Sequence, residues 1–151
     1  MVTELTEAQK SLYEQDFCLW LSTTAQLLHD GDFKELDLPN LIEEIEAMGR
    51  NEKRAVFSNL KILLQHLLKY RYQPEKRSRS WKATITEHRQ RIEESFADSP
   101  SLKPYFREIV PESYQKARKL SADETGLAVE AFPVEVPFTV EEILDAEYLP
   151  D

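Results

Sequence analysis

Apolar residues recur at helical spacing almost throughout the chain. The pattern predicts a first helix from Thr6 to Asp30, opened by a capping box of Thr6 and Gln9 and ended by Gly31. Its apolar face carries Tyr13, Phe17, Trp20, Thr24, Leu27 and Leu28. A second helix begins near Asp37, whose carboxylate can cap it ahead of Pro39 in the first turn. It reads onward through Leu41, Ile45, Met48, Val56, Leu60, Leu63, Leu67 and Tyr70. A straight helix from Asn40 to Tyr72 would be roughly 50 Å long at ~1.5 Å per residue, more than a compact domain of this size accommodates. Gly49 is the expected place for a kink or break.

The segment QPEKRSRS, Gln73 to Ser80, reads as a loop. A third helix then aligns Trp81, Ile85, His88, Ile92 and Phe96 and ends before Pro100. A fourth starts at Ser101 with Leu102, Tyr105, Phe106 and Ile109, and Pro111 is expected to interrupt it, because an interior proline removes a hydrogen bond at a cost of ~3 kcal/mol. A further helix carries Tyr114, Ala117 and Leu120 and stops at Gly126. The two prolines of FPVEVPF forbid helix there and predict an extended strap. Thr139 and Glu142 form a capping box for a short last helix through Leu144. The expectation is all-α: one domain over residues 1–151, a bundle of five or six helices with an extended, proline-containing C-terminal strap.

At 151 residues such a fold can bury a core without a metal or disulfide staple. No apolar run approaches the ~18 residues of a membrane span, and the start MVTELTEAQK is polar, so neither a membrane segment nor a secretory signal is expected. The single Cys18 allows no internal disulfide, which suits a reducing cytoplasm. The net charge of −9 describes an acidic protein but hides a block pattern. Residues 1–52 hold 3 basic and 12 acidic side chains, residues 53–91 hold 11 and 2, and residues 92–151 hold 5 and 14, so the blocks carry −9, +9 and −9. Either the flanks neutralise the centre on folding, or the centre offers a patch to an anion or nucleic acid.

The sharpest chemical signal is polar residues on apolar faces. Asp16 lies one turn before Trp20; Glu52, Asn59 and His66 recur every seven residues; His88 is in line with Trp81, Ile85 and Ile92. A carboxylate buried alone costs several kcal/mol, so these residues predict a hydrogen-bonded network. The same set permits a metal or acid–base enzyme site centred on Asp16, Glu52, His66 and His88, although no Glu-x-x-His or His-Glu-x-x-His spacing is present. Glu43, Glu46 and Arg50 share a face, where salt bridging of Glu46 to Arg50 is the simplest reading. Lys76, Arg77, Ser78, Arg79 and Ser80 run into Trp81 at a helix start, which suits a phosphate or carboxylate, or else only helix capping by Ser78 or Ser80. Nucleic-acid binding would recruit Lys61, Lys69, Arg71, Lys82, Arg89 and Arg91 with Tyr70, Tyr72 and Trp81, but no nucleic-acid module is recognisable. Cys18 has no histidine at helical spacing, and the three glycines build no nucleophile elbow or phosphate loop.

Three blocks carry a family resemblance: Asp16-Phe-Cys-Leu-Trp20, LDLPNLIEEIEAMGR at Leu36–Arg50, and HLLKYRYQPEKRSRSW at His66–Trp81. With SPSL at Ser99–Leu102 and the tail from Phe132 to Leu144, they resemble the bacterial domain of unknown function family 29. The resemblance implies a small helical protein and no particular activity. The positions matching its pattern include Asp16, Trp20, Glu43, Glu44, Glu46, His66, Lys69, Arg77, Ser80 and Trp81. The functional expectation is a cytoplasmic protein-interaction or regulatory module that binds a protein partner or a second copy of itself. A metal or acid–base enzyme, and nucleic-acid or phosphate-ligand binding through the basic loop Lys76 to Trp81, are the alternatives, and any cofactor is left open.

Overall fold

A computed structural model describes residues 12–151. Five α-helices are described: α1 (Phe17–His29), α2 (Leu38–Tyr72), α3 (Arg79–Asp98), α4 (Leu102–Thr125) and α5 (Val140–Leu144). Short 3₁₀ turns at Phe33–Glu35, Pro74–Lys76 and Val129–Ala131 join them, and no strand occurs among the described residues. The all-α expectation holds. Among these residues no helix is long and apolar enough to cross a membrane. The chain falls into two compact units, one ending at Arg50 and the other running from Asn51 to Asp151.

In the N-terminal unit the first helix departs from its expected course. The expected Thr6–Gln9 cap lies outside the described residues. Residues 12–15 are helical, but Asp16 leaves helical geometry at φ −146°, ψ 87°, and its carboxylate accepts from the Leu19 amide at 3.0 Å. The sequence pattern places Asp16 on a buried stripe; it is instead an exposed N-cap, because an Asx oxygen that satisfies a free helix amide outcompetes an interior helical position. Trp20 is buried and packs edge-on to Tyr13 (4.9 Å) and stacked with Phe17 (5.9 Å). Gly31, at φ +70°, makes the left-handed turn that ends the α1 segment. Asp37 is buried and opens α2, receiving the Asn40 amide (3.3 Å) and side chain (2.7 Å).

Helix α2 passes through Gly49 without a break, contrary to the sequence expectation. A glycine in a helix interior costs about 0.5–1 kcal/mol relative to alanine, which the strong helix formers on either side offset.

The C-terminal unit buries Val56, Leu60, Leu63, Leu64, Leu67 and Leu68 of α2 against Ile85 and Ile92 of α3 and Phe106, Val110, Tyr114 and Ala117 of α4. Pro111 does not interrupt α4, which is one helix from Leu102 to Thr125. Pro111 and Arg107, whose carbonyl loses its partner, are both exposed, so the missing bond falls on the solvent side. Ile109, Val110, Ser113 and Tyr114 anchor the helix on both sides of it. Gly126, at φ +74°, caps the end.

Beyond α4 the FPVEVPF segment is non-helical, as its prolines require, and inserts Phe132 and Phe138 into the core. Side chains of α4 hold its backbone: the Tyr114 hydroxyl donates to Pro133 O at 2.5 Å, Gln115 to Val134 O at 2.6 Å and Arg118 Nε to Phe132 O at 3.1 Å. The Thr139–Glu142 capping box is present and opens α5, whose Ile143 is fully buried.

Candidate functional site

Helices α2, α3 and α4 of the C-terminal unit assemble a polar cluster inside an otherwise apolar bundle. Lys69 of α2 is only 2% exposed, and its ammonium is paired with Glu124 of α4 at 2.7 Å. The same ammonium lies 4.8 Å from the centroid of the Trp81 ring on α3, so an aromatic face supplements the one carboxylate. Gln65 donates to the other Glu124 oxygen, and the Ser121 hydroxyl donates to Gln65 O at 3.4 Å. The hydrogen bond from Lys69 holds the Glu124 carboxyl below the ordinary carboxylate range.

Both histidines on these faces are locked by their own helices. His66 Nδ1 lies 2.8 Å from Ile62 O, and His88 Nδ1 lies 2.8 Å from Thr84 O. A carbonyl only accepts, so Nδ1 carries a proton in each ring. Burial holds His66 below its ordinary imidazole value, and the nearby Lys69 and His88 act in the same direction. His66 and His88 thus lie within electrostatic reach of each other, and His66 also lies within reach of Lys69 and Glu124.

The other residues singled out for this network lie elsewhere. Glu52 is exposed, Asn59 is half-buried, and Asp16 and Trp20 belong to the N-terminal unit in the roles already described. Asp16 and Glu52, the two carboxylates of the expected four-residue metal or acid–base centre, are both exposed. Among the described residues no group of three or more His, Cys, Asp or Glu could hold a metal ion.

Two arginines of the basic block, Arg89 and Arg77, are engaged from within. Arg89, buried on α3, grips the C-terminal segment through its whole guanidinium fork: Nε donates to Ile143 O at 2.9 Å, Nη1 to Tyr148 O at 2.7 Å and Nη2 to Glu142 O at 3.2 Å. Arg77 donates through Nε to Tyr70 O at 2.6 Å and through Nη2 to Pro150 O at 3.3 Å, with its guanidinium over the Tyr70 ring. Ser78 caps α3 by accepting from the Trp81 amide at 3.1 Å. Arg79 and Ser80 are exposed, and Trp81 is half-buried under Lys69. Tyr72 lies edge-on against Phe132. The acidic third of the chain therefore does fold onto the basic centre, but it answers the arginines mainly with backbone carbonyls. Arg89 is a structural clamp that the charge count alone assigns to solvent. Its signal is present in the spacing Ile85, His88, Arg89, Ile92, which puts Arg89 on the core face.

The N-terminal unit presents a different surface. Leu38, Ile42, Ile45 and Met48 follow one side of α2 and are 50%, 53%, 56% and 59% exposed. Phe17, Leu21 and Leu28 of α1 and Phe33 are exposed as well. Glu43 bonds Arg50 at 2.8 Å, not the expected Glu46–Arg50 pair. Tyr13 donates to Glu44, which pushes the phenol up to about 12. Glu46 has no ion-pair partner among the described residues.

No curated protein and no solved structure matches the chain. A family model described as Domain of unknown function DUF29 matches residues 12–149, which takes in both units, the Lys69–Glu124 cluster and the Arg89 clamp. The chain belongs to the DUF29 family.

Proposed function

We propose that this protein is a protein-interaction module that docks a basic amphipathic helix of its partner on the N-terminal segment of α2. One observation carries the reading: four large apolar side chains, Leu38, Ile42, Ile45 and Met48, are at least half exposed along one side of a helix. Contiguous exposed apolar surface of this kind marks interaction sites in water-soluble proteins. Its spacing is that of helix-in-groove and helix-on-helix recognition. The charge around it selects the partner's sign. Glu46, which follows Ile45 and lies one turn beyond Ile42, borders the stripe in a block of net charge −9, so lysines and arginines flanking the partner's apolar face are favoured and acidic helices are repelled.

The test uses a fluorescent synthetic Leu/Lys amphipathic helix and a Leu/Glu counterpart, followed by anisotropy with the intact chain. The Leu/Lys peptide is expected to bind saturably, with an affinity that falls as salt rises, and the Leu/Glu peptide about tenfold or more weakly. Ile42→Ser with Ile45→Ser should abolish binding while circular dichroism stays unchanged. Equal binding of both peptides, or no effect of the double substitution, would overturn the proposal. Self-association by sedimentation that the same double substitution removes would give the stripe to a second copy and overturn it too.

A further inference from the structure

In the C-terminal unit, a cavity of about 320 Å³ lies among Phe96 of α3, Phe106, Lys103 and Arg107 of α4, and Val140 and Leu144 of α5. Its apolar part is built by the fold. Phe106 is fully buried and meets Phe96 edge-to-face at 5.4 Å, while the Thr139–Glu142 capping box fixes the start of the helix that supplies Val140 and Leu144. Its polar part is two cations one helical turn apart on α4. Lys103 makes no ion pair among the described residues, and Arg107 has only a 3.8 Å contact with Glu141, both side chains being well exposed. The volume is at the small end of ligand pockets, which pair an apolar lining with a few placed polar groups.

Two other cavities lack this combination. The groove of about 480 Å³ at Lys61, Lys116 and Lys119 has Lys116 near Glu112 (3.8 Å) and over the Phe57 ring, and Lys119 on Asp123 at 2.9 Å. The one of about 410 Å³ at Pro111, Tyr114 and Val134–Val136 offers Glu135 and no cation.

We infer that the Phe96–Leu144 cavity is a binding site for a small aromatic carboxylate, the ring on Phe96, Phe106, Val140 and Leu144 and the carboxylate between Lys103 and Arg107. An aromatic ring matches the Phe pair by edge-to-face contact, and a guanidinium and an ammonium spaced by a turn can both donate to one carboxylate. This site is independent of the docking stripe on the N-terminal unit.

Calorimetric titration of the intact chain tests the assignment, with 3-phenylpropionate as the probe and 3-phenylpropionamide and propionate as controls. The aromatic acid should saturate a single site, with the neutral amide and the ringless acid each binding about tenfold or more weakly. Lys103→Gln with Arg107→Gln, both exposed and harmless to folding, should weaken the acid to the level of the amide and leave the amide unchanged. Leu144→Trp, which fills the cavity, should block both. Failure of the acid to saturate, equal binding of acid and amide, or indifference to the Lys103/Arg107 pair would overturn the inference.

Discussion

Helix α2 carries two apolar runs with the same three-and-four spacing and opposite environments. Leu38, Ile42, Ile45 and Met48 stand half exposed in the N-terminal unit, whereas Val56, Leu60, Leu63, Leu64, Leu67 and Leu68 are fully buried in the C-terminal unit. What separates them is the presence of facing elements: α3, α4 and the strap pack on the second run. A helix pattern states that a face is apolar. Whether that face is a core or a contact surface depends on what the rest of the chain brings to it.

The two units can be followed separately, since Trp20 reports on one and Trp81 on the other. The largest expected effect tests how the C-terminal unit is closed. Arg89→Met removes three charge-assisted bonds to carbonyls of the C-terminal segment and should destabilise that unit by about 3–5 kcal/mol in urea unfolding, with Arg89→Lys intermediate. A loss below about 1 kcal/mol would mean that Phe138 and Ile143 hold the segment without the clamp.

The contrast along α2 is tested directly by matched truncations. Leu64→Ala should cost about 2–5 kcal/mol by leaving a cavity, and Ile45→Ala no more than about 0.5 kcal/mol. Comparable losses would show that the N-terminal stripe is not a free surface.

Gly49→Ala should stabilise the chain by about 0.5–1 kcal/mol, because a Cβ there meets nothing within 4 Å and the backbone is ordinary helix. A destabilised variant in thermal melts would restore the kink that the sequence suggests.

The smallest effect is a pH dependence confined to the C-terminal unit. Folding makes His66 harder to protonate, so the folded state binds fewer protons and acid favours unfolding. The contribution of neutral His66 is complete above about pH 6.5 and declines as the pH falls below it. Glu124, also held low, loses its contribution only when the pH falls through its own depressed value, below the usual carboxylate range. His66→Gln should therefore flatten the melting-temperature profile below about pH 6.5 and leave the part in the carboxylate range intact. An unchanged slope would remove His66 as its source.

Much of the fold was legible because helical signals are local. The apolar spacing of α2 and α3, the prolines of the strap, the Thr139–Glu142 box and the Gly126 terminator each act within a few residues, and each appears where expected. Asp16, Gly49 and Pro111 misled for related reasons. A side chain on the helical stripe was more useful as a cap, Gly49 was tolerated among strong helix formers, and Pro111 was tolerated where packing on either side exceeded its local cost.

The site was less legible. His66 and His88 stood out because a polar residue on an apolar face is a local anomaly. Lys69 and Arg89 read as surface charge, since their partners, Glu124 and the carbonyls of Glu142, Ile143 and Tyr148, lie 53 to 59 residues away. The sequence by itself determined the helices, the strap and the alternation of charge, because each is written in near neighbours. Only the tertiary structure decided which apolar face became core, which stayed open, and which cations were consumed within the fold. Those outcomes depend on desolvation and pairing between distant segments, and such contacts exist only once the chain has folded.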